Sequence, residues 1–237
     1  MTLSAPIYQL KRRAKLLARD ESIALHAALD RVASGEGFAS WSLLSAQNPM
    51  KSRSSQMLGR LSDGDLLLLG GRPGQGKTLL GLQLLLAAIR DGRKSVFFTL
   101  EYTKREAEQH IRSLDAEVVG LGDALEIMTS DDICAGYITH HLADAARGTV
   151  AVIDYLQILD QRRSKPELSE QMHALQNFAR ATGVILGFIS QIDRSFDAES
   201  KDLPDIQDIR LPNRIDPRIF SKTCFLHKGK FQFQTVA

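Results

Sequence analysis

Cysteine is nearly absent from these 237 residues, with only Cys134 and Cys224, 90 positions apart. Neither has a companion at metal-ligand spacing, so a zinc site and a disulfide framework are both disfavoured and the two thiols read as reduced bystanders. Long hydrophobic runs are missing too. No stretch of 18 apolar residues occurs, and the start MTLSAPIYQLKRRAK lacks the apolar centre of a signal peptide, which predicts a cytoplasmic protein with no membrane partner. Charge of one sign is also scarce. The net charge is +2, so a polyanionic partner has to be argued from where the charges fall, not from their sum. Internal repeats and low-complexity tracts are likewise lacking.

What remains is the composition of an ordinary globular chain, 43% hydrophobic and 24% charged, long enough for one large domain or a domain with an appendage. Residues 8–44 read as two short helices, YQLKRRAKLLAR and SIALHAALDRVAS, closed by GEGFASW, with Ser22 as N-cap of the second. The polar segment SAQNPMKSRSSQ has linker composition, which places a boundary near residue 50: a helical segment over 1–50 and a larger domain over 51–237. Lys11, Arg12, Arg13, Lys15 and Arg19 make the first helix basic, while Leu10, Ala14, Leu16 and Leu17 offer a packing stripe. A helical hairpin docking on the core or a neighbour is the leading reading, with direct nucleic-acid binding behind it.

Beyond residue 50 the pattern alternates. DLLLLG, SVFFTL, ALEIMTS, TVAVIDYLQIL and VILGFIS are short, apolar and β-rich, separated by helical stretches, which predicts an α/β fold with a mostly parallel sheet covered by helices. Gly92, Gly148 and Gly183 are expected helix ends, and Thr103 to Glu106 has the spacing of a capping box.

GRPGQGKT fits G-x-x-x-x-G-K-[ST] between an apolar strand and an opening helix, which is the setting that gives this pattern meaning. Gly71, Gly74 and Gly76 allow successive N–H groups to surround an anion, with Arg72, Pro73, Gln75 and Leu79 completing the loop and its exit into the helix. Lys77 is expected on the β- and γ-phosphates and Thr78 on Mg²⁺, with ATP or GTP as ligand. Asp154 ends VAVID, where a carboxylate beside the loop can orient the waters of that Mg²⁺. Glu101 ends SVFFTLE and can act as general base toward water. Gln191 ends VILGFISQ, where an amide can contact the γ-phosphate and change contacts on hydrolysis. His140 and His141 are adjacent on a helix and face different directions, so they cannot share one metal.

GRPGQGKT, TLEY, VIDYLQIL and SEQMHALQNFARATGVILGFISQIDRS, in this order over about residues 60–200, together resemble the ATPase domain of the replicative DNA helicases, the DnaB-like branch of the RecA-type P-loop motors. The resemblance implies a RecA-like fold, ATP with Mg²⁺, Lys77 and Thr78 on the triphosphate and metal, Glu101 as catalytic base, Asp154 as metal partner and Gln191 as γ-phosphate sensor. It also implies a hexameric ring around single-stranded DNA, gripped by loops that here are DQRRSKPE and IDRSFDAESK. Arg162, Arg163 and Lys165 would contact successive phosphates, although the same residues equally fit a solvated loop. Arg194 matches the arginine of the family's SQxxR segment.

Three departures bear on the inference. MLGRLSDGD is shorter than the family's lead-in to the loop, and a leader of about 50 residues is too small for the family's primase-recruiting domain. In place of a lysine and arginine that reach the neighbouring subunit's ATP stand Lys228 and Lys230, which lack the planar fork of an arginine. An ATP-binding switch or assembly protein of the same fold, without unwinding activity, is therefore the alternative.

Overall fold

The computed structural model describes residues 4–5, 7–41, 44, 49–114, 122–160, 165–193, 195–196, 201–210 and 215–236. Contacts divide the chain into two compact units, Met1–Ser55 and Gln56–Ala237.

The first unit contains α1 (Ile7–Asp20) and α2 (Leu25–Gly35), which pack together. Leu10 and Ala14 are fully buried, and a small cluster joins Ala5, Leu10, Ala33 and Leu44 with Val32, Phe38 and Trp41. Leu16, expected in the packing stripe, is 50% exposed, and Arg12, Arg13, Lys15 and Arg19 line the exposed side of α1. Ser22 is not the N-cap. It adopts a left-handed conformation (φ 53°) in the turn, and α2 starts from Ala24 with no side-chain cap. The segment read as a linker instead carries helix α3 (Pro49–Leu58), within which the boundary between the units falls. Proline at a first helical position and buried Met57 and Leu58 outweigh the polar composition.

The second unit is built on a seven-stranded sheet. In chain order its elements are β1 (Leu66–Gly71), α4 (Lys77–Arg90), β2 (Ser95–Thr99), α5 (Lys104–Leu114), β3 (Leu125–Met128), α6 (Ala135–His141), β4 (Val150–Asp154), α7 (Leu168–Thr182), β5 (Ile185–Gln191), β6 (Lys222–His227) and β7 (Lys230–Thr235). The strand order is β3-β2-β4-β5-β1-β6-β7, parallel throughout except for β7. β1, β2 and β4 are buried along their whole length, which is why they read as unbroken apolar runs. One face, with Phe98, Ile153, Leu186 and Phe188, packs on Met172 and Leu175 of α7 and Ile138 of α6. The other receives α4, where Gly81 permits close approach: a Cβ there would stand 3.0 Å from Ile189 Cδ1 and 3.2 Å from Val152 Cγ1. A side chain at 81 would press on Ile189 and Val152, which would have to give by a few tenths of an ångström under the helix that carries Thr78.

Several local expectations hold. Thr103 and Glu106 exchange the reciprocal bonds of a capping box, with Glu106 Oε2 accepting from Thr103 N–H at 2.9 Å and Thr103 Oγ1 from Glu106 N–H at 3.3 Å. Gly183 caps α7 in the left-handed conformation. Others need correction. Gly148 (φ 81°) lies in a turn before β4, seven residues beyond the end of α6 at His141. The run TVAVIDYLQIL is strand only to Asp154, after which Leu156–Asp160 forms a 3-10 helix. The sheet also carries the antiparallel β6–β7 hairpin, beyond the five strands that the apolar runs predict.

Candidate functional site

The register of the sheet decides what meets at its carboxyl edge. Asp154 of β4 stands opposite Thr99 of β2 and Ile189 of β5, and Gly71 of β1 stands opposite Gln191. Because β5 lies between β1 and β4, the glycine turn after β1 and the carboxylate ending β4 flank the strand that ends in Gln191. Open parallel sheets bind ligands in the crevice at such strand ends.

A cavity of about 360 Å³ opens there, walled by Pro73, Gly74, Gly76, Lys77, Thr78, Leu79, Glu101, Tyr102, Asp154, Tyr155, Ile189 and Gln191. Residues read separately from four strand ends therefore face one volume. Gly74 (φ 77°) and Gly76 (φ 87°) hold left-handed backbone, and a Cβ at Gly74 would meet nothing within 4 Å on the open side of the loop. α4 starts at Lys77 from Gly76 without a side-chain cap, so the N–H groups of its first turn are open to an anion. Arg72 and Gln75 are not among the cavity walls.

The charges inside the cavity are unbalanced. Asp154 is 1% exposed, and burial, reinforced by the negative Glu101, pushes its pKa up to about 7, against the Thr78 hydrogen bond and the positive Lys77. Thr78 Oγ1 donates to Asp154 Oδ2 at 2.9 Å. Lys77 is also buried, which lowers its pKa, while Asp154 and Glu101 oppose that shift; its ammonium donates to the Arg72 carbonyl at 3.0 Å. Burial, then the charges of Asp154 and Glu101, raise the Tyr102 phenol.

This arrangement fits both expected ligands. A hydroxyl and a buried carboxylate 2.9 Å apart are hard oxygen donors of the kind Mg²⁺ takes, and a divalent charge would relieve the cost of ionising Asp154. The buried ammonium, held by its own loop's carbonyl, and the uncapped helix start fit a polyphosphate. Among the described residues no group of three or more His, Cys, Asp and Glu of metal-binding size occurs, so a metal here would rest on Thr78, Asp154 and the ligand's own oxygens. His141 is bonded to Glu126 at 2.8 Å and stacks on Tyr137.

Other candidates are placed differently. Arg162, Arg163 and Arg194 lie outside the described residues. Lys165 fastens local backbone: its ammonium donates to the carbonyls of Ile133 at 2.7 Å and Ile158 at 3.1 Å. Lys230 pairs with Asp202 at 2.6 Å, and Lys228 is exposed at the hairpin turn.

The cavity also takes Tyr102, Tyr155 and Ile189 as walls, none of them singled out from the motifs, and Gln157 braces the chain beside it. Tyr102 follows Glu101 directly and walls the cavity, with its ring edge-on to His110 at 5.0 Å. Gln157, three residues after Asp154, donates through Nε2 to the Arg210 carbonyl at 2.6 Å and to Ser190 Oγ at 3.3 Å. Arg210 N–H in turn donates to the Gln191 carbonyl at 2.8 Å. Tyr102 and Gln157 stand inside quoted motifs, TLEY and VIDYLQ, but only the third dimension gives them a task.

The chain matches a family model described as the KaiC ATPase over residues 54–209. It is 24% identical to the replicative DNA helicase DnaB of Mycoplasma pneumoniae over 213 residues, covering 74% of this chain and 45% of that protein. It thus spans less than half of that relative's length. Among solved structures, one described as an ATPase domain matches with a TM-score of 0.58 at 16% identity, covering 79% of this chain and 82% of that one. A KaiC-like protein of the archaeon Pyrococcus horikoshii matches with a TM-score of 0.51 at 21% identity, covering 68% and 70%. These likenesses agree with the RecA-like fold and with the DnaB-like resemblance of the motifs. By the family match over more than half its length, the chain belongs to the KaiC family of ATPases.

Proposed function

We propose that the chain is an Mg²⁺-dependent, ATP-hydrolysing motor of the DnaB-like kind, cytoplasmic, which assembles as a hexameric ring and moves on single-stranded DNA. The observation that carries the reading is the convergence of Lys77, Thr78, Glu101, Asp154 and Gln191 on one cavity. In this mechanism the loop amides and Lys77 orient the triphosphate. Thr78 and Asp154 would hold the metal, whose charge, when bound, would offset that of the phosphates. Glu101 takes the proton of the attacking water, and a carboxylate so placed speeds such a step by about 10²–10⁴. Gln191 contacts the terminal phosphate, and its main-chain bond to Arg210, braced by Gln157, ties its position to the chain that follows β5. Arg162, Arg163, Lys165 and Arg194 are the proposed DNA-facing charges, and Lys228 and Lys230 the groups that reach the neighbouring subunit's nucleotide.

The second reading is an ATP-dependent switch of the same fold that unwinds nothing. The commitment of Lys165 to two carbonyls and of Lys230 to Asp202 favours it, because each removes a cation from the motor's working surface. The ATPase rate with and without single-stranded DNA, at two salt concentrations, for wild type and Lys77→Ala, separates the two. Stimulation by DNA that weakens with salt and vanishes in the variant supports the motor. A rate indifferent to DNA selects the switch. Sizing with a non-hydrolysable ATP analogue tests the ring.

A further inference from the structure

We propose that Gln75 is a positioning residue that transmits occupancy of the phosphate loop to the β6–β7 turn of the same chain, and thereby sets where Lys228 and Lys230 are presented; the role of those lysines rests on the function proposed above. Gln75 lies between Gly74 and Gly76, whose left-handed backbone (φ 77° and 87°) defines the loop, so its backbone must follow any adjustment of the loop around a phosphate. Its flanking glycines wall the cavity and its side chain does not. That side chain reaches the hairpin, where Gln75 Oε1 accepts from Lys228 N–H at 2.6 Å across 153 positions of sequence.

The receiving end is built for the contact. His227 pairs with Lys230, so Lys228 and Gly229 form a two-residue turn, and both hold positive φ, 46° and 78°, as a type I′ turn requires. At Lys228 the left-handed conformation is adopted by a residue with a Cβ. The two elements also touch at their roots, since Gly71 pairs with Leu226 and a Cβ on Gly71 would stand 3.1 Å from the Leu226 carbonyl. A loop anchored to the hairpin at Gly71 and again at Gln75 passes displacement to the turn through a short, specific path.

The test is amide hydrogen exchange in peptides covering 226–231, with and without Mg²⁺ and a saturating non-hydrolysable ATP analogue, for wild type, Gln75→Met and Gln75→Glu. The analogue is expected to slow exchange at the turn about fivefold in wild type, the size of one neutral hydrogen bond. Gln75→Met keeps the length but has no comparable acceptor, and is expected to abolish the response; Gln75→Glu keeps an acceptor oxygen and is expected to restore it. An unchanged response in Gln75→Met, or no response in a wild type that calorimetry shows to be saturated, overturns the proposal. A wild type that binds no analogue in calorimetry overturns the ATPase reading, and this inference falls with it.

Discussion

The strands β1, β5 and β4 and the hairpin β6–β7 belong to one sheet but treat charge in opposite ways. At the first three strand ends, Lys77 and Asp154 are buried together, each with its pKa driven toward the neutral form. At the hairpin, Lys228 and Lys230 are exposed, and Lys230 is neutralised by a solvent-facing Asp202. Buried charges interact strongly because little water screens them, whereas exposed pairs contribute little. The strand ends are therefore suited to chemistry, while the hairpin is suited to being read by something that approaches it.

The most severe way to break this contrast is Lys77→Ala. Loss of the buried ammonium is expected to lower kcat/KM for ATP by at least about 10³-fold, measured by phosphate release. Glu101→Gln should lower kcat by about 10²–10⁴ while nucleotide still binds in calorimetry, which isolates proton removal from binding.

Asp154→Asn tests burial itself through stability. Because the folded-state pKa of Asp154 is raised from 3.8 to about 7, the unliganded fold loses stability as pH rises through that window and bears the full cost above it. The neutral variant should be more stable than wild type by up to about 4 kcal/mol at pH 8 and by almost nothing at pH 4, in urea unfolding without nucleotide. A gain independent of pH would remove the ionisation argument. The smallest expected effect belongs to the exposed side: Asp202→Ala should leave the urea midpoint unmoved while releasing Lys230. A measurable shift there would erase the distinction between the two regions.

Legibility in the sequence follows the same divide. The glycine turn and the strands ending in Glu101, Asp154 and Gln191 could be read because buried parallel strands leave apolar runs, and polar residues closing such runs stand out. Their meeting around one cavity depends on strand order and register, which no local pattern specifies. The hairpin escapes such a reading because KTCFLH, although buried, mixes Lys222, Thr223 and His227 with its apolar residues, KFQFQT is mostly exposed or half-exposed, and its turn, Lys228 and Gly229, lacks an Asn-Gly or Asp-Gly signal. α3 is hidden by serines and charges, which favour a linker unless Met57 and Leu58 are known to be buried. The bond from Gln75 to Lys228 joins positions 153 apart and leaves no mark in composition.

The strand ending in Gln191 is bonded along both flanks, to β1 on one side and β4 on the other. Such a strand cannot act as a piston, since sliding by even one residue would break two ladders at once and turn its inward faces outward. On the function proposed above, news of the terminal phosphate would leave Gln191 sideways, through its amide and the polypeptide beyond it, with the sheet as the stationary frame.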